Sequence, residues 1–194
     1  MITVPHPITN GAFKKSFNGI YDVNASFCFN PIAGLIMGTS FKNGLFSIPS
    51  NKIAGLNSTK MQLNDAGIKL GYDYFISDII FFTMAINAGE NWTKFTGVSC
   101  TDPDRTSFTY TSGYIEPEMN VNFLIEESFA IGATVSYTII AKPFDPDFIC
   151  LNNFATYYSN DYKGSTGYFN FGFGFYYGLL RKKSAGPRTS MEDY

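Results

Sequence analysis

The chain has 194 residues, enough for one domain, and only 15% of them are charged against roughly 25% in ordinary soluble domains. Aromatics make up 18%, the formal net charge is −2, and Arg181-Lys182-Lys183 near the end is the nearest thing to a basic run. That composition excludes a nucleic-acid surface built on charge, and no segment reaches the roughly 18 to 20 apolar residues of a membrane helix.

The longest apolar stretch, Ile79 to Ala88, is strand-length and interrupted by Thr83. Eighteen glycines and thirteen tyrosines favour many short strands. A chain of this kind crosses a membrane only as a closed barrel, because lipid cannot satisfy an open sheet edge. The opening MITVPHPITN lacks the basic start and apolar core of a signal peptide, so an exported chain is expected to have its leader upstream of Met1.

Residues 1–16 are expected to be a weak first strand or the remnant of one, since Pro5 and Pro7 interrupt Ile2 to Phe13. Residues 17–180 form the barrel domain and 181–194 a polar tail. Strands are predicted where apolar and small or polar residues alternate with a period of two. In the first clear one, Phe17, Tyr21, Val23, Ala25, Phe27 and Phe29 oppose Asn18, Asp22, Asn24, Ser26 and Cys28. The second sets Ala33, Leu35, Met37 and Phe41 against Gly34, Gly38, Ser40 and Lys42. The third runs from Asp65 to Ile76, with Asp65, Lys69 and Asp73 on its polar face, and the fourth from Ile79 to Ala88. In the fifth, Ile115, Pro117, Met119, Val121 and Phe123 oppose Tyr114, Glu116, Glu118, Asn120 and Asn122, with a bulge or local break expected at Pro117. The sixth spans Phe129 to Ile139.

The seventh has the sharpest alternation. Phe169, Phe171, Phe173, Phe175, Tyr177 and Leu179 share one parity, and Tyr168, Asn170, Gly172, Gly174, Tyr176 and Gly178 the other. A soluble sheet puts Lys, Glu and Thr on its second face. Here that face is small and uncharged, which suits a narrow bore and assigns the aromatic face to lipid.

Short turns near 30–32, 77–78 and 125–128 alternate with long polar connections near 43–60, 89–107 and 141–165. The predicted fold is therefore all-β: a transmembrane antiparallel up-and-down barrel of about eight strands, with short periplasmic turns and three long extracellular loops. Seven clear strands are one short of an even number. The eighth is the weak N-terminal segment, a strand upstream of Met1, or, less in keeping with the loop pattern, a strand within Phe148 to Tyr158.

The stretch YIEPEMNVNFLIEESFAIGATVSY, Tyr114 to Tyr137, resembles the paired strands of small outer-membrane β-barrel proteins of the Bacteroidota type. The Phe-x-Phe-Gly-x-Gly-Phe run at Phe169 to Phe175 resembles their closing strand. The likeness spans about Gly19 to Leu180 and implies a bacterial outer-membrane location and a barrel architecture, with no assigned activity. The tail from Arg181 departs from it, since many such barrels end at the aromatic strand.

The best constellation of chemistry is a set of charges expected in the bore: Asp22, Lys42, Asp65, Lys69, Asp73, Glu116 and Glu118. Glu116 and Glu118 lie about 7 Å apart on one face and are expected to meet Lys69 across the barrel. Charges removed from water persist when paired, so a lumen-plugging ion-pair network is the plainer reading, ahead of an ion path or a carboxylate pair for acid–base work. Cys100 and Cys150 lie in long loops at one end and are candidates for a disulfide, although three free thiols, with Cys28, is the plainer expectation.

The one histidine, His6, lies between two prolines and supports no nucleophilic site. Asp102, Asp104, Asp145 and Asp147 read as turn-forming acids before calcium ligands, and no metal or cofactor is expected. Trp92, Phe95, Phe108, Tyr110, Phe154, Tyr157, Tyr158 and Tyr162 are expected as an interfacial girdle, with an adhesive surface as the second reading. The sequence thus points to a non-enzymatic envelope barrel in contact with outer-membrane lipid and other envelope proteins, and not with nucleic acid. The competing class is a soluble β-barrel holding a lipophilic ligand; a lipid-modifying enzyme using Glu116 and Glu118 is a third.

Overall fold

A computed structural model describes residues 1–53, 59–98, 100 and 106–178. It contains eight strands: β1 (Ile2–Thr9), β2 (Asn18–Phe29), β3 (Leu35–Ser47), β4 (Lys60–Phe75), β5 (Ile80–Thr96), β6 (Ser107–Glu126), β7 (Phe129–Ile140) and β8 (Thr166–Tyr177). One short helix, α1 (Gly11–Ser16), links β1 to β2, and two 3-10 turns, Pro146–Ile149 and Leu151–Asn153, lie between β7 and β8. Each strand pairs antiparallel with the next and β8 pairs back onto β1, so the sheet closes into a barrel. Closure in chain order leaves no free edge to template pairing with another chain.

The weak N-terminal segment supplies the eighth strand. β1 pairs with β8 from Ile2↔Phe173 to Thr9↔Gly167, but with β2 at Ile2↔Val23 and Thr3↔Asp22. The prolines explain the asymmetry. Asn24 donates its N–H to Met1 O at 2.9 Å, so alternate residues of β1 face β2, and the positions that would next donate are Pro5 and Pro7, which have no N–H. Gly19 of β2 lies against this stretch, where a Cβ would sit 1.9 Å from Pro5 O. Only glycine admits so close an approach.

Period-two alternation governs the barrel wall. Phe171, Phe173, Phe175 and Tyr177 are exposed on the outside, with Phe173 at 72%, while Asn170 and Tyr168 are buried inside. The same partition holds round the circumference: Val4, Phe27, Phe41, Ile68, Met84, Met119 and Ile131 all face outward. The rings therefore do not meet in a central core, as an internal lipophilic pocket would require. Leu179 and the tail 181–194 lie outside the described residues.

Two expectations change, and the alternatives at Pro117 are resolved. The strands run further than their outward residues suggest, so the first two connections shrink to 48–59 and 97–106 while 141–165 stands, and a fourth, 10–17, joins them at the same end. Asn43 and Glu90 interrupt the outward apolar set, and beyond them it is mixed (Leu45 and Ser47; Trp92, Lys94 and Thr96), yet the inward set continues through Phe46, Asn91, Thr93 and Phe95. Phe17, expected on the outer face, is fully buried, because a bulge between Gly19 and Tyr21 inserts Ile20 and exchanges the faces. At Pro117 β6 does not bulge, but its pairing with β7 breaks locally, one of the two alternatives expected there. The register on β7 is the same at Ile115↔Ile139 and Glu118↔Ser136, and only the rungs between them lapse.

The end bearing these four connections holds the hydrophobic core. Phe46, Leu63, Phe95 and Tyr168 point in from the wall and pack against Phe13, Phe17, Phe144 and Ile149 from α1 and the connections. Phe46 lies with its ring centroid 5.1 Å from that of Tyr168 and 5.3 Å from that of Phe13. Phe46→Ala is expected to lower stability by about 3–5 kcal/mol, read as the urea midpoint of the folded form in micelles. A loss below about 1 kcal/mol would contradict a packed plug.

Candidate functional site

Below the plug, the inward residues become ionic. Lys42 on β3 stands opposite Asp65 on β4, and Asp22 projects from β2 on the other side. Their oxygens lie 3.3 Å (Asp65 Oδ2) and 3.7 Å (Asp22 Oδ2) from Lys42 Nζ. Glu116 reaches across from β6 to complete an ion pair with the same ammonium. Thr138 Oγ1 of β7 accepts from Lys42 Nζ at 2.8 Å and donates to Glu116. Asn91 on β5 donates to Asp65. The rings of Tyr114 and Tyr168 cover the ammonium at 5.6 and 5.2 Å from their centroids, and Gly67 leaves room for the Tyr114 hydroxyl.

A second pair lies nearer the turns. Lys69 Nζ donates to Glu118 Oε1 at 2.7 Å, and the Asn87 and Asn120 amides donate to the same carboxylate at 3.0 and 2.6 Å. Asp73, closest to the turn end, stands apart and accepts from Thr83 Oγ1 at 2.6 Å. The seven charges expected in the bore thus all carry the inward parity but form separate groups. Glu116 meets Lys42, not Lys69. The stagger of a tilted barrel sets residues two apart on one strand against different strands across the bore.

Charges inside the bore persist because each has an opposite charge or a hydrogen-bond donor beside it. Glu116, Glu118 and Asp65 have both, Asp73 accepts from Thr83, and Asp22 has the Lys42 ammonium alone, with no hydrogen-bond partner on its carboxylate. Lys42 and its three carboxylate partners have side chains no more than 3% exposed. An eight-stranded barrel is only wide enough for side chains to fill its interior. Plug and ion pairs together close the bore to bulk flow.

The connections above the plug are fastened to one another. Cys100 is bonded to Cys150, tying 97–106 to 141–165, so the expectation of three free thiols gives way for these two; Cys28 is free and exposed. Asn10, in the left-handed region at φ 59, caps α1 through Phe13 N–H at 3.0 Å and donates to Phe144 O at 3.0 Å. Lys15 grips both carboxylate oxygens of Asp161 at 2.7 and 2.8 Å, and that hydrogen bonding holds the Asp161 carboxyl below its ordinary range.

The loop aromatics divide. Phe95 and Tyr110 belong to the plug, with Phe108 and Tyr157 packed against it, so these four are no girdle. Trp92, Phe154 and Tyr158 are exposed. Tyr162 donates to Asn152. Asp145 accepts from Asp147 N–H and Asp147 from the Asn152 amide, both within turns, while Asp102 and Asp104 lie outside the described residues. Among the described residues, no three acidic, His or Cys side chains are placed to hold a metal ion. His6 faces outward beside Phe169, away from the ionic bore. The plug itself escaped sequence reasoning. Its one local signal was Phe13 and Phe17 at the helical spacing of four.

What fold and bore define is a small, closed, side-chain-filled β-barrel. No known family model matches the chain, and no curated protein does. Among solved structures it is similar to Ail, the attachment invasion locus protein of Yersinia pestis, at 13% identity over 91% of this chain and 93% of that chain, with a TM-score of 0.47.

Lys42→Met strands three buried carboxylates and is expected to lower stability by about 3–5 kcal/mol in micelles. Adding Glu116→Gln to that variant is expected to restore part of the loss. An unchanged urea midpoint in Lys42→Met would show that the cluster does not hold the bore together.

Proposed function

We propose that the protein is a non-enzymatic β-barrel of the bacterial outer membrane, with its turns towards the periplasm and its fastened connections outside. The observation that carries this reading is the outer wall. From Ile80 to Ala88 on β5, and from Ile125 to Ile115 on β6, every outward residue is apolar, and the charges of those levels sit inside. At about 3.4 Å per residue and a tilt near 40°, these runs rise about 21 and 26 Å, matching the roughly 25 Å apolar band of outer-membrane barrels. Water would meet that wall as a continuous patch far larger than soluble monomers expose.

A filled bore argues against a diffusion pore, so the role is structural or interactive. The barrel anchors the outer connections and contacts outer-membrane lipid, while exposed Phe154 and Tyr158 offer aromatic contacts to other envelope proteins. The likeness to the Bacteroidota type belongs to this proposal and rests on the strand motifs.

Placing a charge in mid-wall tests the reading. Phe173→Lys is expected to destabilise the barrel by about 2–4 kcal/mol in bilayers, with wild-type protein requiring detergent for extraction and shifting its gel migration on heating. Recovery of folded wild-type protein in buffer without detergent would overturn the membrane assignment.

A further inference from the structure

Strands β4, β5 and β6 continue past the apolar band, and no described residue outside the wall covers their outer face there. Two rungs cross it: Gln62↔Lys94↔Thr109, and Asn64↔Trp92↔Thr111. Gln62, Trp92, Lys94, Thr109 and Thr111 are all exposed. Lys60 stands one rung higher, diagonal to Lys94, so two like charges are neighbours about 7 Å apart. No ion pair joins either lysine to a carboxylate among the described residues, and Glu90, the acid of this face, lies four positions below Lys94 on β5. Such a pair of ammonium groups invites an external anion.

The barrel's charge distribution agrees. By sequence, 10–17, 43–64, 90–111 and 141–165 carry seven lysines, one arginine and six acids, a balance of +2. The turns at the other end carry Asp78, Glu126 and Glu127 and no lysine or arginine.

Height distinguishes the anion. Four and six residues above Ala88, Trp92 and Lys94 lie about 10 and 15 Å above the apolar band. The phosphate of a simple phospholipid sits at the band's edge, below both. A lipid whose headgroup is a phosphorylated saccharide reaches that far. The side chains suit one: ammonium groups for phosphate, amides and hydroxyls for sugar hydroxyls, and an indole with one apolar face and one polar edge.

We propose that the outer face of the β4–β6 extension docks the phosphorylated saccharide headgroup of a glycolipid in the leaflet on the loop side. This rests on the membrane assignment above. The barrel then recognises its leaflet by headgroup, in addition to matching its thickness.

The test is lipid retention. Full-length protein is inserted into nanodiscs of phosphatidylethanolamine and phosphatidylglycerol containing a minor fraction of a glycolipid whose headgroup of several sugars bears phosphate on its outer units, then re-extracted, and its bound lipid is quantified. The wild type is expected to retain this glycolipid about tenfold over its dephosphorylated counterpart, with the preference falling at high salt. Lys60→Glu with Lys94→Glu is expected to abolish the preference while heat-modifiable migration is unchanged, and Trp92→Ala to lower retention of both glycolipids. Equal retention of the two glycolipids by the wild type, equal retention of phosphatidylglycerol, or an undiminished preference in the double variant overturns the proposal and leaves the membrane assignment standing. Wild-type protein that does not insert at all defeats both.

Discussion

A strand turns successive side chains to opposite faces, and in a closed barrel those faces become an outside and an inside with no edge between them. Everything else in this molecule follows from that constraint. Phenyl and aliphatic groups on one parity form the wall, and lysines, carboxylates, amides and glycines on the other fill the bore. A one-residue slip would invert the arrangement, placing Lys42 or Glu116 outside and Phe173 inside. The register is therefore pinned at both levels by chemistry that cannot tolerate the exchange.

The interior is built in layers because different neighbours supply it. Near the turns the wall alone provides partners, and glycines, asparagines and the Lys69–Glu118 pair suffice. In mid-bore, Lys42 gathers carboxylates from three strands, which links β2, β3, β4 and β6 across the lumen. Further up, the strands outrun the apolar band, and α1 and the connections fold inward to cover their inner face. That core does for the loop end what ion pairing does below it. The weak lateral pairing of β1 with β2 is tolerated because β1 is held along its other side by β8, and α1 beyond it is anchored through Asn10 and Lys15.

Much of this was legible from the residues alone. Alternation at Phe169 to Tyr177, Phe129 to Ile139 and Tyr114 to Phe123 placed three strands and their faces, with Glu116 and Glu118 inward. The alternation around Asp22, Lys42 and Asp65 to Asp73 gave the other bore charges the same parity. What escaped was whatever depends on a departure from regular period or on contacts between distant segments. Phe17 lies beyond a one-residue bulge, so counting from Tyr21 sent it to the wrong face. Residues 89–96 read as loop because Glu90 and Lys94 broke the outward apolar set, although Asn91, Thr93 and Phe95 kept the inward one. The partner of Glu116 depends on stagger around the barrel, which no single strand records. Pro5 and Pro7 weakened the case for β1 since their effect falls on one neighbour only, and the strand survives on the other.

The central claim is directional, and spin labels along β8 in bilayers test it most directly. Nitroxides at positions 171, 173 and 175 should collide readily with oxygen dissolved among acyl chains, while those at 170, 172 and 174 should be shielded, giving an accessibility period of two. A profile flat in oxygen, or one with its maxima at the glycine positions, would contradict the account.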